Sequence, residues 1–373
     1  MKCLPASKIP ASNGIILHDW HAEVLTIRSL NRYLLDECRR LVGEGGVSDI
    51  LERNEQAPIA RATRTTSPPF RIKGNIKLHM YCSEAPCKLV HPMTPRTCAH
   101  KFPGGDASME LTMTAQDDAT AWEDPASIPV GAESTEQALV GREFFSRLGV
   151  VRRKPGRRDS PPTLSKSCSD KLALKQCTSL LSSISSLFVD PENAYIDTLI
   201  VPASQYTEVG YERSFSRRGR LKCLDGWSGL GGYSFRPFGI ETTAVEFSFS
   251  RKMVAERWAK ISPSTVGAAW LSSGFEETIV GGVLQGRRQS EAKAASRMSR
   301  RQMWMAAKDL AGQLGDGHLD IQSAVGKKAY ADVKKGSLLA ARSQVTASVR
   351  NEALSGWVQN QGDSDFRLDL LES

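Results

Sequence analysis

The chain has no long apolar run and no dense cysteine framework. No segment approaches the roughly 20 consecutive apolar residues of a membrane-spanning helix, and residues 1–5, M-K-C-L-P, lack the apolar stretch of a signal peptide. The 8 cysteines are scattered, unlike those of small secreted disulfide-linked domains. No internal repeat is visible. These absences argue against membrane-spanning, solenoid and disulfide-scaffold classes, and they predict an intracellular protein of the nucleus, the cytoplasm or both.

Size and positive charge are what the composition offers instead. The 373 residues, of which 40% are hydrophobic, are enough to bury a large core. Lysine and arginine number 49 against 41 acidic residues, a formal charge of +8. Basic surface attracts phosphate groups, so the charge favours a polyanionic partner, although a modest positive charge is also common among soluble proteins.

Apolar periodicity predicts two helices that matter for function. Residues from His21 to about Leu41 repeat at helical spacing, with Asp19 as the expected cap and Gly43 as the stop. A second helix is predicted to begin at Cys168. Both helices then present potential metal ligands in their first turns, where the helix dipole favours negative charge.

Other segments complete an α/β pattern. Residues 76–81 read as a strand that leads into the loop carrying Cys87. Two later segments predict strands, over 198–201 and 244–249, and two predict helices, over 294–315 and 321–357.

Three short motifs are the strongest functional signal. They are H-A-E at 21–23, P-C at 86–87 and S-C-S-D-K at 167–171. Each alone is weak, because chance produces H-x-E and Pro-Cys often. The longer segments around these motifs are more specific: L-H-D-W-H-A-E-V-L at 17–25, K-P-G-R at 154–157 and T-L-S-K-S-C-S-D-K-L-A at 163–173. They resemble the RNA-editing adenosine deaminase family. The similarity is greatest to the eukaryotic branch that acts on adenosine 37 of alanine tRNA.

This resemblance implies a fold, a reaction and a zinc site. The expected fold is a cytidine-deaminase-like α/β/α sandwich with zinc at helix N-termini, extended by C-terminal strands and helices and covering residues 1–373. The implied zinc ligands are His21, Cys87 and Cys168, which leave a fourth position for water. Glu23 would carry protons while adenosine is deaminated hydrolytically to inosine in tRNA.

Two features depart from the family. Residues 88–104 interrupt the second motif: joining Cys87 to Gly105 would restore P-C-G-D-A-S-M, so the segment resembles a translated intron or an unusual loop. Its Cys98 and His100 are rival metal ligands. Residues 112–139 are acidic and without periodicity, and we expect a mobile surface loop. The family text also begins at Met1 without the segment that precedes it in relatives, so we expect the N-terminal part of the core to be missing.

The resemblance further implies a buried inositol hexakisphosphate. The matching residues are four cationic side chains and a tryptophan. Four cations facing inward would be unfavourable in a core without a compensating anion. The alternative for Lys334 and Arg342 is a solvated helix face, and the cations of 287–288 and 297–301 fit either this site or an RNA channel. The residues that resemble the family's anion site are Arg28, Lys171, Lys334, Arg342 and Trp357.

The basic run at 152–158 is the candidate RNA contact. Arg153, Lys154 and Arg157 would bind tRNA phosphates, although the same run also fits a solvated loop. Neither a membrane nor a protein partner is implied.

Two other interpretations stay open at this stage. The interruption at 88–104 and the late start fit a catalytically impaired RNA-binding remnant, or a fragment with wrongly assigned gene boundaries. A deaminase of free nucleosides is the third, although the chain is longer than that reaction needs. No double-stranded-RNA-binding module is visible, which argues against the family's messenger-RNA editors.

Overall fold

The computed structural model describes residues 2–43, 45–54, 67–86, 149–151, 161–227, 229–258, 260 and 264–369. The helices in this part of the chain are α1 (Ala22–Val42), α2 (Cys168–Thr178), α3 (Glu208–Phe215), α4 (Arg251–Arg257), α5 (Arg300–Gln313), α6 (Leu319–Val325), α7 (Tyr330–Lys334) and α8 (Ala340–Glu352). The strands are β1 (Leu51–Arg53), β2 (Phe70–Ile72), β3 (Leu78–Tyr81), β4 (Ile196–Pro202), β5 (Gly239–Thr243), β6 (Gly267–Trp270), β7 (Glu276–Val280) and β8 (Val283–Leu284).

These strands form three small sheets. Strands β3, β4 and β5 are parallel, with β4 in the centre, whereas β1 pairs with β2 and β6–β7–β8 pair in antiparallel fashion. The central strand is buried, as parallel strands generally are: Leu199 and Val201 are fully inaccessible. The predicted mixed α/β class is confirmed.

Helix α1 begins directly after His21, a predicted zinc ligand, and it ends where the sequence predicts. Leu25, Leu34 and Cys38 lie on its buried face, and Gly43 caps its C-terminus by donating its backbone N–H to a carbonyl of the last turn. The predicted N-cap was wrong by two residues. His21 is the N-cap, and the Asp19 carboxylate accepts the His21 backbone N–H at 3.0 Å.

Helix α2 begins at Cys168 because Ser167 and Asp170 form a capping box. The Ser167 hydroxyl accepts the Asp170 N–H at 3.0 Å, and the Asp170 carboxylate accepts the Ser167 N–H at 3.3 Å. Asp170 also binds Arg220, which donates to the Ser169 carbonyl as well. The first turn of α2 is therefore fixed by the Ser167 cap and by Arg220.

Packing brings the start of the chain onto the β6–β8 sheet. Leu17 donates its N–H to the Gly282 carbonyl at 2.8 Å. Leu17 and Trp20 also belong to a hydrophobic cluster that includes Ile279 and Val283 of this sheet. Gly282 has a φ of +85°, and a Cβ there would lie 2.6 Å from the Leu17 carbonyl oxygen. Helix α1 packs against α5 and β6, while α2 packs against α3 and α8.

Three sequence predictions for later elements need correction. Residues 244–249 do not form a strand, because β4 ends at Pro202 and its pairing with β5 therefore ends at Thr243. The helix predicted over 294–315 starts only at Arg300, where Ser299 is the N-cap. The helix predicted over 321–357 is three helices, α6 to α8.

Among the described residues, no helix combines the length and the apolar character needed to cross a bilayer. The predicted insertion at 88–104, the predicted loop at 112–139 and the basic run at 152–158 lie outside the described residues.

Candidate active site and cation-lined cavity

His21 stands at the start of α1 with its ring oriented by Asp19. The Asp19 Oδ1 atom lies 2.7 Å from the His21 Nδ1 atom. A carboxylate that holds one ring nitrogen leaves the other to face a metal, which is the usual arrangement around metal-binding histidines. Nε2 of His21 is therefore the atom suited to bind zinc.

Asp19 also joins the start of α1 to the start of α2. Its second carboxylate oxygen accepts the Ser165 hydroxyl at 2.6 Å and forms an ion pair with Lys171. The Lys171 ammonium also donates to the Ser165 hydroxyl at 2.8 Å. Lys171 lies one helical turn after Cys168, on the same side of α2. One bonded network thus connects the two helix starts that carry the predicted ligands His21 and Cys168.

Cys168 itself is buried, with 1% of its surface exposed. It is the first residue of α2, where the positive end of the helix dipole favours a negative charge such as a thiolate.

Glu23 lies in the first turn of α1 and is partly buried. Its charge acts on the end of strand β3: burial first, and the Glu23 carboxylate second, raise the pKa of the Cys82 thiol to about 12. Cys82 leads toward Cys87, the third predicted ligand, which lies outside the described residues.

A second set of possible metal ligands surrounds His21. The Cys3 Sγ atom lies 3.7 Å from His21 Nδ1, and ligand atoms of Cys3, Asp19 and His21 all lie within 4.8 Å of one another. Cys3 is not among the predicted ligands, and its only sequence signal is the text K-C-L-P at the start of the chain. Asp19 is already bound by Ser165 and Lys171, so a cation there would compete with an ammonium group.

Behind Asp19 lies a cavity of about 320 Å³ whose wall is strongly cationic. Its only carboxylates are Asp19 and Asp363 among the described lining residues, and Trp357 and Asn360 also line it. Six cationic side chains face those two carboxylates: Arg28, Lys166, Lys171, Arg300, Lys334 and Arg350.

Two arginines of this wall, Arg28 and Arg350, form no ion pair with a carboxylate among the described residues. Burial, followed by the charge of Arg300, lowers the pKa of Arg28 to about 10, and burial followed by Arg342 does the same for Arg350. The Nε atoms of both Arg28 and Arg350 are buried and have no hydrogen-bond partner among the described residues. Unpaired buried donors are costly, and an anion in the cavity would satisfy them.

His18 contributes no positive charge to this wall at neutral pH. Burial, and then the charge of Arg300, lowers its pKa to about 3. Its ring nitrogens are bound by the Ser12 hydroxyl at 3.1 Å and the Asn360 amide at 2.9 Å. Asp363 pairs with Arg300, which holds the pKa of Asp363 below its ordinary value although burial opposes this.

The comparisons with known proteins bear on this arrangement. The model of the adenosine-deaminase (editase) domain matches residues 1–361. The chain belongs to this family. It is therefore a hydrolytic deaminase.

Curated relatives show how far the likeness extends. The tRNA-specific adenosine deaminase 1 of Schizosaccharomyces pombe is 29% identical over 367 residues, which cover 97% of this chain and 81% of the relative. The protein of the same name from Saccharomyces cerevisiae is 35% identical over 222 residues, covering 58% of this chain and 48% of the relative. The double-stranded RNA-specific editase Adar of Drosophila melanogaster is 24% identical over 217 residues, covering 56% of this chain and 27% of the relative.

Within this editase domain, the structure divides the residues predicted for the anion site. Arg28, Lys171, Lys334 and Trp357 line the cavity. Arg342 instead donates to the carbonyls of Thr178, the last residue of α2, and of Leu181, each at 2.7 Å.

Two cations of the wall, Lys166 and Arg350, were not predicted from the sequence, and a third, Arg300, was only one of two alternatives. Lys166 lies inside the matched text 163–173, and its ammonium group lies 5.5 Å from the centre of the Trp357 ring. Arg300 belongs to the segment that was left open between RNA and anion binding. Arg350, which lies 4.8 Å from the same ring, has no local sequence signal.

The predicted RNA contacts Arg153, Lys154 and Arg157 lie outside the described residues, as do the rival ligands Cys98 and His100.

Proposed function

We propose that this chain catalyses the zinc-dependent deamination of adenosine to inosine in tRNA, at position 37 of alanine tRNA. The observation that carries the proposal is the network in which Asp19 joins His21, at the start of α1, to Lys171, one turn after Cys168. Two relatives named as tRNA-specific adenosine deaminases support the choice of tRNA as substrate.

His21, Cys87 and Cys168 would hold the zinc ion. The residues present fit it, because the His21 ring is oriented through Nδ1 and Cys168 is a buried thiol at a helix start. Bound zinc supplies a nucleophilic hydroxide at neutral pH by lowering the pKa of coordinated water. The cytidine-deaminase-like sandwich is part of this proposal, with the parallel β3–β4–β5 sheet as its centre.

Glu23 is the proton carrier. It accepts the proton released when water adds to C6 of adenine, and it delivers that proton to N1. In the second half of the reaction it helps to protonate the amino group, which leaves as ammonia while C6 becomes the carbonyl carbon of inosine. Its place in the first turn of α1, two residues after a zinc ligand, suits both transfers.

The cation-lined cavity would hold inositol hexakisphosphate. Arg28, Lys171 and Lys334 would bind its phosphates beside Trp357, and Arg342 would add positive charge from behind α2. The excess of cations over carboxylates and the unpartnered Nε atoms of Arg28 and Arg350 support a polyanion as ligand.

For the RNA, we propose that Arg153, Lys154 and Arg157 contact tRNA phosphates. This part of the proposal rests on sequence alone.

The decisive experiment is incubation of the purified, zinc-loaded chain with alanine tRNA transcripts. Reverse transcription reads inosine as guanosine, so conversion at position 37 is measured directly. Matched controls are a transcript with guanosine already at position 37, a second tRNA with another anticodon, and free adenosine. Conversion at position 37 alone supports the proposal. Faster conversion of free adenosine would indicate a nucleoside deaminase, and no conversion of any substrate would indicate an impaired protein.

A further inference from the structure

An exposed aromatic segment follows strand β5. Phe247, Phe249 and Trp258 have 48%, 74% and 68% of their surfaces exposed. The rings of Phe247 and Phe249 lie 5.7 Å apart, inclined at 58°. Exposed aromatic rings in contact with each other, as Phe247 and Phe249 are, often mark an interaction surface, and the exposed Trp258 follows at the end of α4.

This aromatic surface is attached to the proposed zinc loop. The backbone N–H of Arg251, the first residue of α4, donates to the Glu84 carboxylate at 2.7 Å. The Tyr81 hydroxyl donates to the Val245 carbonyl at 3.5 Å. Glu84 lies three residues before Cys87, the proposed zinc ligand, and Tyr81 ends strand β3. These two hydrogen bonds therefore join the aromatic segment to the residues that lead from β3 toward the proposed zinc ligand.

The charges around the rings are mainly positive. Glu246 and Glu256 are the carboxylates of the segment 244–260, and Glu246 is already bound by Lys252 and the Ser204 hydroxyl. Against them stand four exposed cations: Arg251, Lys252, Arg257 and Lys260.

We propose that Phe247, Phe249 and Trp258, flanked by the cations of α4, form a stacking surface for unpaired bases of the tRNA anticodon loop. The inference rests on the proposed function, because position 37 lies in that loop. Aromatic faces combined with cations suit single-stranded RNA, in which bases stack on rings while phosphates contact lysine and arginine. A self-association face is less consistent, since the centres of protein interfaces are depleted of charged residues.

The test compares the double variant Phe247→Ala/Phe249→Ala with Phe247→Tyr/Phe249→Tyr in the full chain. The probe is alanine tRNA, and the readouts are its Kd by fluorescence anisotropy and kcat/KM for inosine formation. The control is Trp270→Ala, which removes a ring that is 69% exposed on β6, in a different sheet. Thermal unfolding of every variant shows whether the fold is retained.

We expect the alanine pair to weaken tRNA binding by about fivefold or more, as loss of base stacking predicts. The tyrosine pair and Trp270→Ala should bind as the unmodified chain does. An alanine pair that is folded and binds tRNA normally would overturn the inference. So would an alanine pair whose oligomeric state changes in sedimentation while its tRNA affinity does not, because the surface would then bind a second copy.

The outcomes also separate this inference from the proposed function. If the unmodified chain forms inosine and the alanine pair does so with the same kcat/KM and Kd, the stacking surface is wrong and the function stands. If the unmodified chain forms no inosine but binds tRNA in a way that depends on the two phenylalanines, the function is wrong and the surface stands.

Discussion

At the scale of single residues, Glu23 separates chemistry from binding. Replacing it by glutamine keeps the size and hydrogen-bonding capacity of the side chain but removes the group that carries a proton. We expect Glu23→Gln to lower the rate of inosine formation by about 10²- to 10⁴-fold. Zinc content, measured by elemental analysis, and tRNA affinity should not change. Glu52→Gln, which alters an exposed ion pair with Arg71, is the control and should remain active.

A second prediction distinguishes the two possible sets of zinc ligands. His21→Ala and Cys168→Ser should each lose zinc after dialysis, whereas Cys3→Ser should retain it. His21 belongs to both sets, so the comparison of the two cysteines decides. Zinc loss in Cys3→Ser together with full occupancy in Cys168→Ser would move the metal to the Cys3, Asp19 and His21 cluster.

His18 should give the fold a measurable pH dependence. Its pKa falls from 6.5 to about 3 on folding, because burial and the facing charges of Arg300, Arg28 and Lys171 oppose its protonation more than Asp363 favours it. The unfolded chain therefore binds the proton first, and stability is lost as the pH falls from 6.5 toward 3.

Urea unfolding of anion-free protein measures this effect. Within the window, the contribution of His18 is about 1.4 kcal/mol per pH unit. His18→Gln should show a shallower loss of stability than the unmodified chain, and the two should differ least in slope above pH 6.5. Asp363 lies 3.3 Å from His18 Nδ1 and its pKa is lowered in part by His18, so the difference in slope belongs to this pair. Identical slopes would show that folding does not lower the pKa of His18.

At the scale of elements, the capping box of α2 fixes the position of a proposed zinc ligand. Ser167→Ala should destabilise the fold by about 1 kcal/mol, the usual cost of losing such a cap. Because Cys168 is the next residue, zinc affinity should fall as well, as measured by competition with a chelator. Ser299→Ala removes the cap of α5 and is the matched control. It should cost similar stability and leave zinc affinity unchanged; an equal loss of zinc in both variants would show only general destabilisation.

The local elements are where sequence-based prediction succeeded. Helices α1 and α2 were predicted from apolar periodicity, which is a local property of the chain. Their ends are also set by residues adjacent to each helix: Gly43 directly follows α1, and Ser167 directly precedes α2. The strand predicted over 244–249 is wrong because a strand needs a neighbouring strand with which to pair. Here the neighbouring strand β4 ends at Pro202, and the residues 244–249 carry no sign of where β4 ends. Val245, Phe247 and Phe249, the apolar residues of this predicted strand, are instead exposed.

At the scale of the whole molecule, the cation-lined cavity depends on five helices that are distant in sequence. Arg28, Lys171, Arg300, Lys334 and Arg350 come from α1, α2, α5, α7 and α8 respectively. No local sequence pattern brings them together, so only part of the wall can be predicted from the sequence. The resemblance supplied Lys171 within its matched text, whereas Arg350 emerges only from the packing of α8 against α2.

A polyanion in this cavity should be required for full stability. An anion that binds the native state alone stabilises it by mass action, so it should co-purify and resist dialysis. Phosphate analysis and mass spectrometry of the denatured protein should detect an inositol phosphate. Lys334→Ala should lower the thermal midpoint and reduce the bound phosphate, whereas Lys335→Ala, whose neighbouring exposed side chain does not line the cavity, should do neither. A fully active preparation without any polyanion would contradict the assignment.

The close contact between Gly282 and Leu17 fixes the distance between the first residues of the chain and the turn before β8. A backbone with φ of +85° already disfavours other residues, and the first atom of any side chain would lie 2.6 Å from a carbonyl that cannot move alone. Leu17 is followed within four residues by Asp19 and His21, so pushing the chain away from β8 would shift the carboxylate and the imidazole together. The position of the proposed metal ligand His21 thus depends on a glycine that contributes no side chain and lies more than half the chain away.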